Sequence, residues 1–365
     1  MSSVNTGVVD PGFWQDKRVF ITGHTGFKGG WLTLWLSSMG AKVTGYSLAP
    51  NTTPSFYYVA GIDGVVDKSL FADIRDLEEL RSAMTAANPE IVIHMAAQPL
   101  VRYSYANPVE TYATNVMGVV NVLECIRGNG GVHATIVVTS DKCYENQEWA
   151  WGYRENEPLG GYDPYSNSKG CAELVTSAFR QSYFPDTLYA KHAHALASVR
   201  AGNVIGGGDW SEDRLIPDAL KAFESGAPLV IRNPLATRPW QHVLEPLSGY
   251  LVLAQALFQE GIGYASAWNF GPRDEDTCSV QDVINLLIKK LPAGAKWHQD
   301  QSEQPHEAHS LKLDCSKANQ FLGWKPRWSL ETAIQRTADW QKAFLCKENM
   351  QHVSIQQISD YQALS

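Results

Sequence analysis

The chain has 365 residues, 44% of them hydrophobic and 19% charged, with a formal net charge of −8. That length suits one large α/β domain with a smaller companion, and the acidic balance argues against nucleic-acid or membrane-surface binding. No stretch approaches the roughly 18–20 apolar residues of a membrane span, and the opening segment Met1–Pro11 lacks the basic start and apolar centre of a secretory signal.

Residues 1–12 are small and polar and are expected to be loose. Strands and helices then alternate. Arg18–Thr22 reads as a strand, Gly29–Met39 as a Trp- and Leu-rich helix, and Lys42–Tyr46 as a second strand. Val65–Ala72 holds a third, followed by a helix for which Asp76 is a good N-cap. Glu90–Met95 is a fourth strand, and Pro108–Arg127 a long helix with proline in its first turn. Ala134–Ser140 is the fifth strand, Pro164–Tyr183 a helix, and Ala195–Ala201 the sixth strand. Beyond 201 the pattern loosens, with helices near 215–225, 244–259, 279–290 and 329–346. Such alternation predicts a doubly wound parallel sheet of Rossmann type, with a second, smaller α/β substrate domain. The expected division is 13–201, with 243–271 returning to it, against 202–242 and 272–365.

Strand one runs into Gly23-His24-Thr25-Gly26-Phe27-Lys28-Gly29, a Gly-x-x-Gly-x-x-Gly loop opening a helix. Glycines at that junction permit a tight turn and let the backbone approach a pyrophosphate at the helix N-terminus. Asp73 of Ala72-Asp73-Ile74-Arg75-Asp76 could face an adenine amino group. The acidic residue that usually holds the adenosine ribose is missing, and Ser47 takes its place after the second strand. No Arg or Lys follows closely to receive a 2′-phosphate, so NAD is favoured over NADP.

Two further segments carry acid–base chemistry. Tyr165 and Lys169 are four apart and share one helix face. An ammonium beside a phenol is expected to lower the phenol's pKa, giving a base able to take a proton from a sugar hydroxyl. Ser140-Asp141-Lys142 adds a carboxyl and an amine at the end of the fifth strand. Neighbouring residues on an extended strand point to opposite faces. The chain must therefore leave β geometry at Ser140 if Asp141 and Lys142 are to meet one substrate.

Together these segments resemble the extended short-chain dehydrogenase/reductases. The resemblance extends through His94-Met95-Ala96-Ala97-Gln98, Asn115, and the ending Leu322-Gly323-Trp324-Lys325-Pro326. Within that family the chain is similar to the nucleotide-sugar 4,6-dehydratases. The branch acting on CDP-glucose is matched by Gly23–Leu32, Ser140–Tyr144, Arg200–Trp210 and Arg238–His242. Lys142 stands where many of these dehydratases carry glutamate. The resemblance implies catalytic roles for Ser140, Asp141, Lys142, Tyr165 and Lys169, with Asp141 as acid and Lys142 as base or proton carrier. It implies NAD contacts from Gly23, Thr25, Gly26, Phe27, Lys28, Gly29, Ser47, Asp73, Ile74, Ala96, Ala97, Gln98, Asn115, Thr139, Tyr165 and Lys169. Asn203, Arg214 and Arg238 would hold the nucleotide-sugar substrate. A cytoplasmic homo-oligomer, pairing through the helices at 108–127 and 164–183, is expected.

Other readings remain open on the same residues. A 4-epimerase needs Tyr165 and Lys169 but not Asp141 and Lys142, and a dinucleotide sensor needs none of the four. His192 and His194 lack acidic or cysteine partners, and the six cysteines (125, 143, 171, 278, 315, 346) lack metal-ligand spacing, so no metal is expected. Trp149, Trp151 and Trp240 fall in loops, where one could touch the nucleotide or sugar.

Overall fold

A computed structural model describes residues 7–291, 294–301 and 310–364 of the chain; Met1–Thr6, part of the segment read above as loose and non-secretory, lie outside them. Six apolar runs form parallel strands: β1 (Arg18–Thr22), β2 (Lys42–Ser47), β3 (Lys68–Phe71), β4 (Ile91–His94), β5 (Ala134–Val138) and β6 (Ala195–Ala201). A seventh strand, Ala267–Phe270, pairs parallel with β6 at the sheet edge. The order is edge strand, β6, β5, β4, β1, β2, β3. Thr22 sits level with Tyr46 on β2 and His94 on β4. Connections leave in opposite directions from β1 and β4, which opens a crevice at their carboxyl ends.

Helices cover both faces, so β4 and β6 are buried along their whole length. Phe27–Ser38 and Leu244–Glu260 share one core with Trp31, Trp35 and Leu247. Leu77–Ala87, Gly118–Arg127 and Pro164–Ser182 form the other, with Leu80, Leu123 and Ala172. Asp76 caps its helix as expected, accepting from the Glu79 N–H at 2.9 Å. The expected helix over 108–127 is interrupted: Ala113–Met117 is a wide π turn between Pro108–Tyr112 and Gly118–Arg127. The third strand is shorter than expected because Val65 and Val66 bond back to Ile62 in a tight turn.

A separate core gathers Ile216, Leu220, Ile284 and Ile334 from the later helices and Ile231 from the short strand Leu229–Ile231. The helix Met350–Gln362, unforeseen in the sequence, packs Tyr361 against Trp35 and Trp328. Residues 7–12 are not loose: Val9 is buried and Asp10 caps the short helix Pro11–Trp14. Among the described residues no helix is long and apolar enough to cross a membrane.

Candidate active site

The glycine loop leaves β1 at the crevice. Gly23 has φ +80°, and a Cβ there would lie 2.8 Å from the Ala96 nitrogen. A Cβ on Gly29 would lie 2.0 Å from the Gly23 carbonyl oxygen. Both positions therefore require glycine. Gly26, at the helix N-cap, is exposed and offers no side chain to the first-turn N–H groups. That uncapped, positively polarised end fits a pyrophosphate.

Several expected cofactor residues make contacts within the protein. Asn115 is buried; its Oδ1 accepts from the Gln98 N–H at 2.8 Å, and its Nδ2 donates to the Gln98 carbonyl and Ser168 Oγ. It fixes the Ala96–Gln98 loop, with all its amide hydrogen bonds made. Gln98 bonds Leu100 and Thr111. Ile74 is buried against Gly118, where a Cβ would approach it to 2.4 Å. Asp73 chelates the Arg75 guanidinium, which holds its carboxyl below the usual range. Ser47 and Thr25 bond each other at 2.9 Å. Lys28 turns inward: its Nζ donates to the Tyr250 hydroxyl at 2.7 Å and lies 4.7 Å from that ring's centre. Desolvation, then the charges of Lys169 and Arg214, bring Lys28 down to about 7.

β5 stops at Val138, and the chain leaves β geometry at Ser140 as required. Asp141–Cys143 is a single 3₁₀ turn, with Ser140 Oγ accepting from the Lys142 N–H at 3.2 Å. Asp141 is 3% exposed. One carboxylate oxygen accepts from Ser140 Oγ at 3.0 Å, while the other is buried without a hydrogen-bond partner. Burial raises its pKa, against the opposing pull of Lys142, the Ser140 bond and Arg238. A raised carboxyl is what an acid working near neutral pH needs. Lys142 is half-buried.

Tyr165 and Lys169 lie on Pro164–Ser182, capped by Asp163, and both are buried. The expected lowering of the phenol does not occur here. Desolvation pushes Tyr165 up to about 12, with a hydrogen bond from Ser140 working the other way. Lys169 instead donates to the Val138 carbonyl at 3.3 Å, and its own pKa falls to about 8 through burial. The two side chains lie on one helix, and desolvation is the largest influence on each.

Opposite stands the edge of the separate core around Ile216 and Ile334. Val204–Ile205 pairs with Gln241–His242, and the Asn203 carbonyl accepts from the Gln241 N–H. This brings Asn203 beside the strand Thr237–Pro239, which carries Arg238. A Cβ on Gly202 would sit 3.1 Å from Asp141 Oδ2 and 2.6 Å from Pro239, so that strand closes over the turn. Arg214 pairs with Asp209 at 3.4 Å, and its charge reaches Tyr165 and Lys28. Two guanidinium groups thus converge on the reacting side chains, a disposition suited to a diphosphate.

Trp240 is buried in the separate core around Ile216 and Ile334, and Trp149 stacks between Trp151 and Tyr153, so neither faces this crevice as a free platform. The rings of His192 and His194 bond the carbonyls of Pro185 and Val132. Sequence reasoning missed Tyr250 and a buried pair, Glu173 and Arg200. Their signals were a glutamate one turn beyond Lys169 and an arginine inside an all-buried strand.

A CDP-glucose 4,6-dehydratase of Salmonella typhimurium is 56% identical over 354 residues, covering 97% of this chain and 98% of that protein. A dTDP-glucose 4,6-dehydratase of Xanthomonas campestris is 25% identical, covering 88% and 92%. In fold, the chain matches the structure of DesIV, a dTDP-glucose 4,6-dehydratase from Streptomyces venezuelae with NAD and TYD bound. The TM-score is 0.76 at 21% identity, over 91% of this chain and 99% of that one. UDP-glucose 4-epimerase of Thermotoga maritima, with UDP-glucose, gives 0.74 at 21% identity over 90% and 99%. The model of the GDP-mannose 4,6 dehydratase family matches residues 20–337, and the chain belongs to that family.

Proposed function

We propose that this chain removes water from CDP-glucose, with NAD as cofactor, to give CDP-4-dehydro-6-deoxyglucose. One observation carries the reading: the turn after β5 places a buried carboxyl of raised pKa, Asp141, one hydroxyl away from Tyr165. An epimerase has no use for that acid. The near-full-length similarity to a CDP-glucose 4,6-dehydratase supports the choice of sugar nucleotide. When bound, NAD would supply a hydride acceptor for the sugar's C4 and a hydride donor for its C6, so the reaction has no net redox change.

Tyr165 takes the proton of the 4-hydroxyl. The resulting C4 ketone acidifies the C5 hydrogen, which Lys142 removes. Asp141 protonates the departing 6-hydroxyl, which leaves as water, and a C5–C6 double bond forms in conjugation with the ketone. Lys142 returns its proton to C5 as C6 is reduced. Tyr165 is then left with one extra proton and Asp141 lacks one. Ser140 is hydrogen-bonded to both groups and closes that balance. Arg238, Arg214 and Asn203 hold the diphosphate.

Incubation with CDP-glucose and with other nucleotide sugars tests this reading. A base-developed 4-keto-6-deoxysugar chromophore with CDP-glucose supports it; a 4-epimer, or no turnover with any of them, contradicts it. Lys142→Ala is expected to retain NAD binding in calorimetry and to lose about 10²–10⁴-fold in dehydration. Unchanged dehydration would remove Lys142 from the mechanism.

We infer a homodimer in the cytoplasm, where the six unpaired cysteines stay reduced. Val109, Met117 and Leu174 are 82%, 51% and 59% exposed on the two helical segments proposed to pair. Leu174→Arg is expected to halve the mass measured by light scattering. A wild-type protein of monomer mass would contradict the pairing.

A further inference from the structure

The turn that presents Asp141 and Lys142 stands on a fully buried ion pair. Glu173 lies one helical turn beyond Lys169, and Arg200 sits within β6; both side chains are 2% exposed. Arg200 meets the carboxylate twice, Nε at 3.0 Å from Oε1 and Nη2 at 2.9 Å from Oε2. Each partner also bonds elsewhere, Glu173 Oε2 accepting from Ser198 Oγ at 2.6 Å and Arg200 Nη1 donating to the Glu155 carbonyl at 3.2 Å, but one further bond of each reaches a flank of the turn. Glu173 Oε1 accepts from Thr139 Oγ1 at 2.5 Å, immediately before Ser140. Arg200 Nη1 donates to the Tyr144 hydroxyl at 2.6 Å, immediately after Cys143, and its guanidinium lies 4.7 Å from that ring's centre. The Tyr144 hydroxyl in turn donates to Asn269 Oδ1 at 2.8 Å.

Apolar residues of similar volume often replace a buried ion pair without loss of stability. Stability alone therefore does not account for two charges at this depth. What an apolar pair lacks is directional bonding to both ends of a three-residue turn.

We propose that Glu173 and Arg200 are positioning residues for the elimination step, gripping Thr139 and Tyr144 so that Asp141 and Lys142 keep their aim. The inference rests on the dehydration reading above. Oxidation at C4 depends on Tyr165 and Lys169, which the helix Pro164–Ser182 holds independently of Tyr144. Release of the Tyr144 end should therefore slow elimination and spare oxidation.

Glu173→Gln would leave Arg200 uncompensated and could unfold the protein. Tyr144→Phe is the informative variant. It keeps the ring stacked on Tyr153 at 5.1 Å and removes only the hydroxyl held by Arg200 and Asn269. In single turnovers with CDP-glucose, the initial rise of reduced-nicotinamide absorbance should keep its wild-type rate. Product formation should slow about ten- to a hundredfold, so that reduced cofactor accumulates. Arg200→Lys, which keeps charge but loses the planar fork, should show the same split. Parallel slowing of both phases, or no change in either, would overturn the proposal. Failure of the wild-type enzyme to dehydrate CDP-glucose would count against the dehydration reading instead, before any variant is made.

Discussion

Tyr165→Phe is expected to reduce turnover by about 10²–10⁴-fold, with no transient reduced-nicotinamide absorbance. The phenol is the buried oxygen that Ser140 reaches, and the variant keeps its ring and volume. Melting temperature should change little, because the site loses one hydrogen bond and creates no cavity. The physical problem for this tyrosine is its environment: desolvation holds it up at about 12. It is therefore a neutral phenol in the empty site, and it must give up its own proton once cofactor and substrate are bound before it can take the 4-hydroxyl proton. A variant that still reduced the cofactor at the wild-type rate would assign the 4-hydroxyl proton to another group.

Asp141→Asn is expected to separate the two halves of the reaction. Oxidation continues, elimination falls about 10²–10⁴-fold, and reduced cofactor builds up. The same change should raise the melting temperature at neutral pH. Asp141's folded-state pKa lies above its unfolded value, so its ionised form opposes folding, and asparagine removes that charge. As pH falls and the wild-type carboxyl becomes neutral in both states, the gap in stability should close. Calorimetry of the two proteins from neutral to acid pH checks the sign. A less stable variant at neutral pH would show that the carboxyl is paired rather than stranded.

The seven-stranded sheet was largely legible because most of its strands are short apolar runs between turn signals, and the glycine loop marks where the first of them ends. The edge strand Ala267–Phe270 is only four residues long and escaped notice; its place is set by pairing with β6. Met350–Gln362 is a polar sequence with few apolar positions, so its helix owes more to packing on Trp35 and Trp328 than to pattern. The π turn at Ala113–Met117 left no trace that periodicity could detect, although it is what aims Asn115 at the Gln98 loop. In the site, spacing put Tyr165 and Lys169 on one helix and required a break after Ser140, since both follow from local geometry. Sequence does not carry dielectric environment. That is why the direction of the Tyr165 shift came out opposite, and why the inward turn of Lys28 onto Tyr250 could not be anticipated.

Internal hydride transfer is the central claim. CDP-glucose bearing deuterium at C4 measures it directly by nuclear magnetic resonance of the product. Deuterium on C6 of a 4-keto-6-deoxy sugar is the predicted result, with the label kept through turnover in ordinary water. Label retained at C4 of an epimer, or lost to solvent with none on C6, would contradict the account.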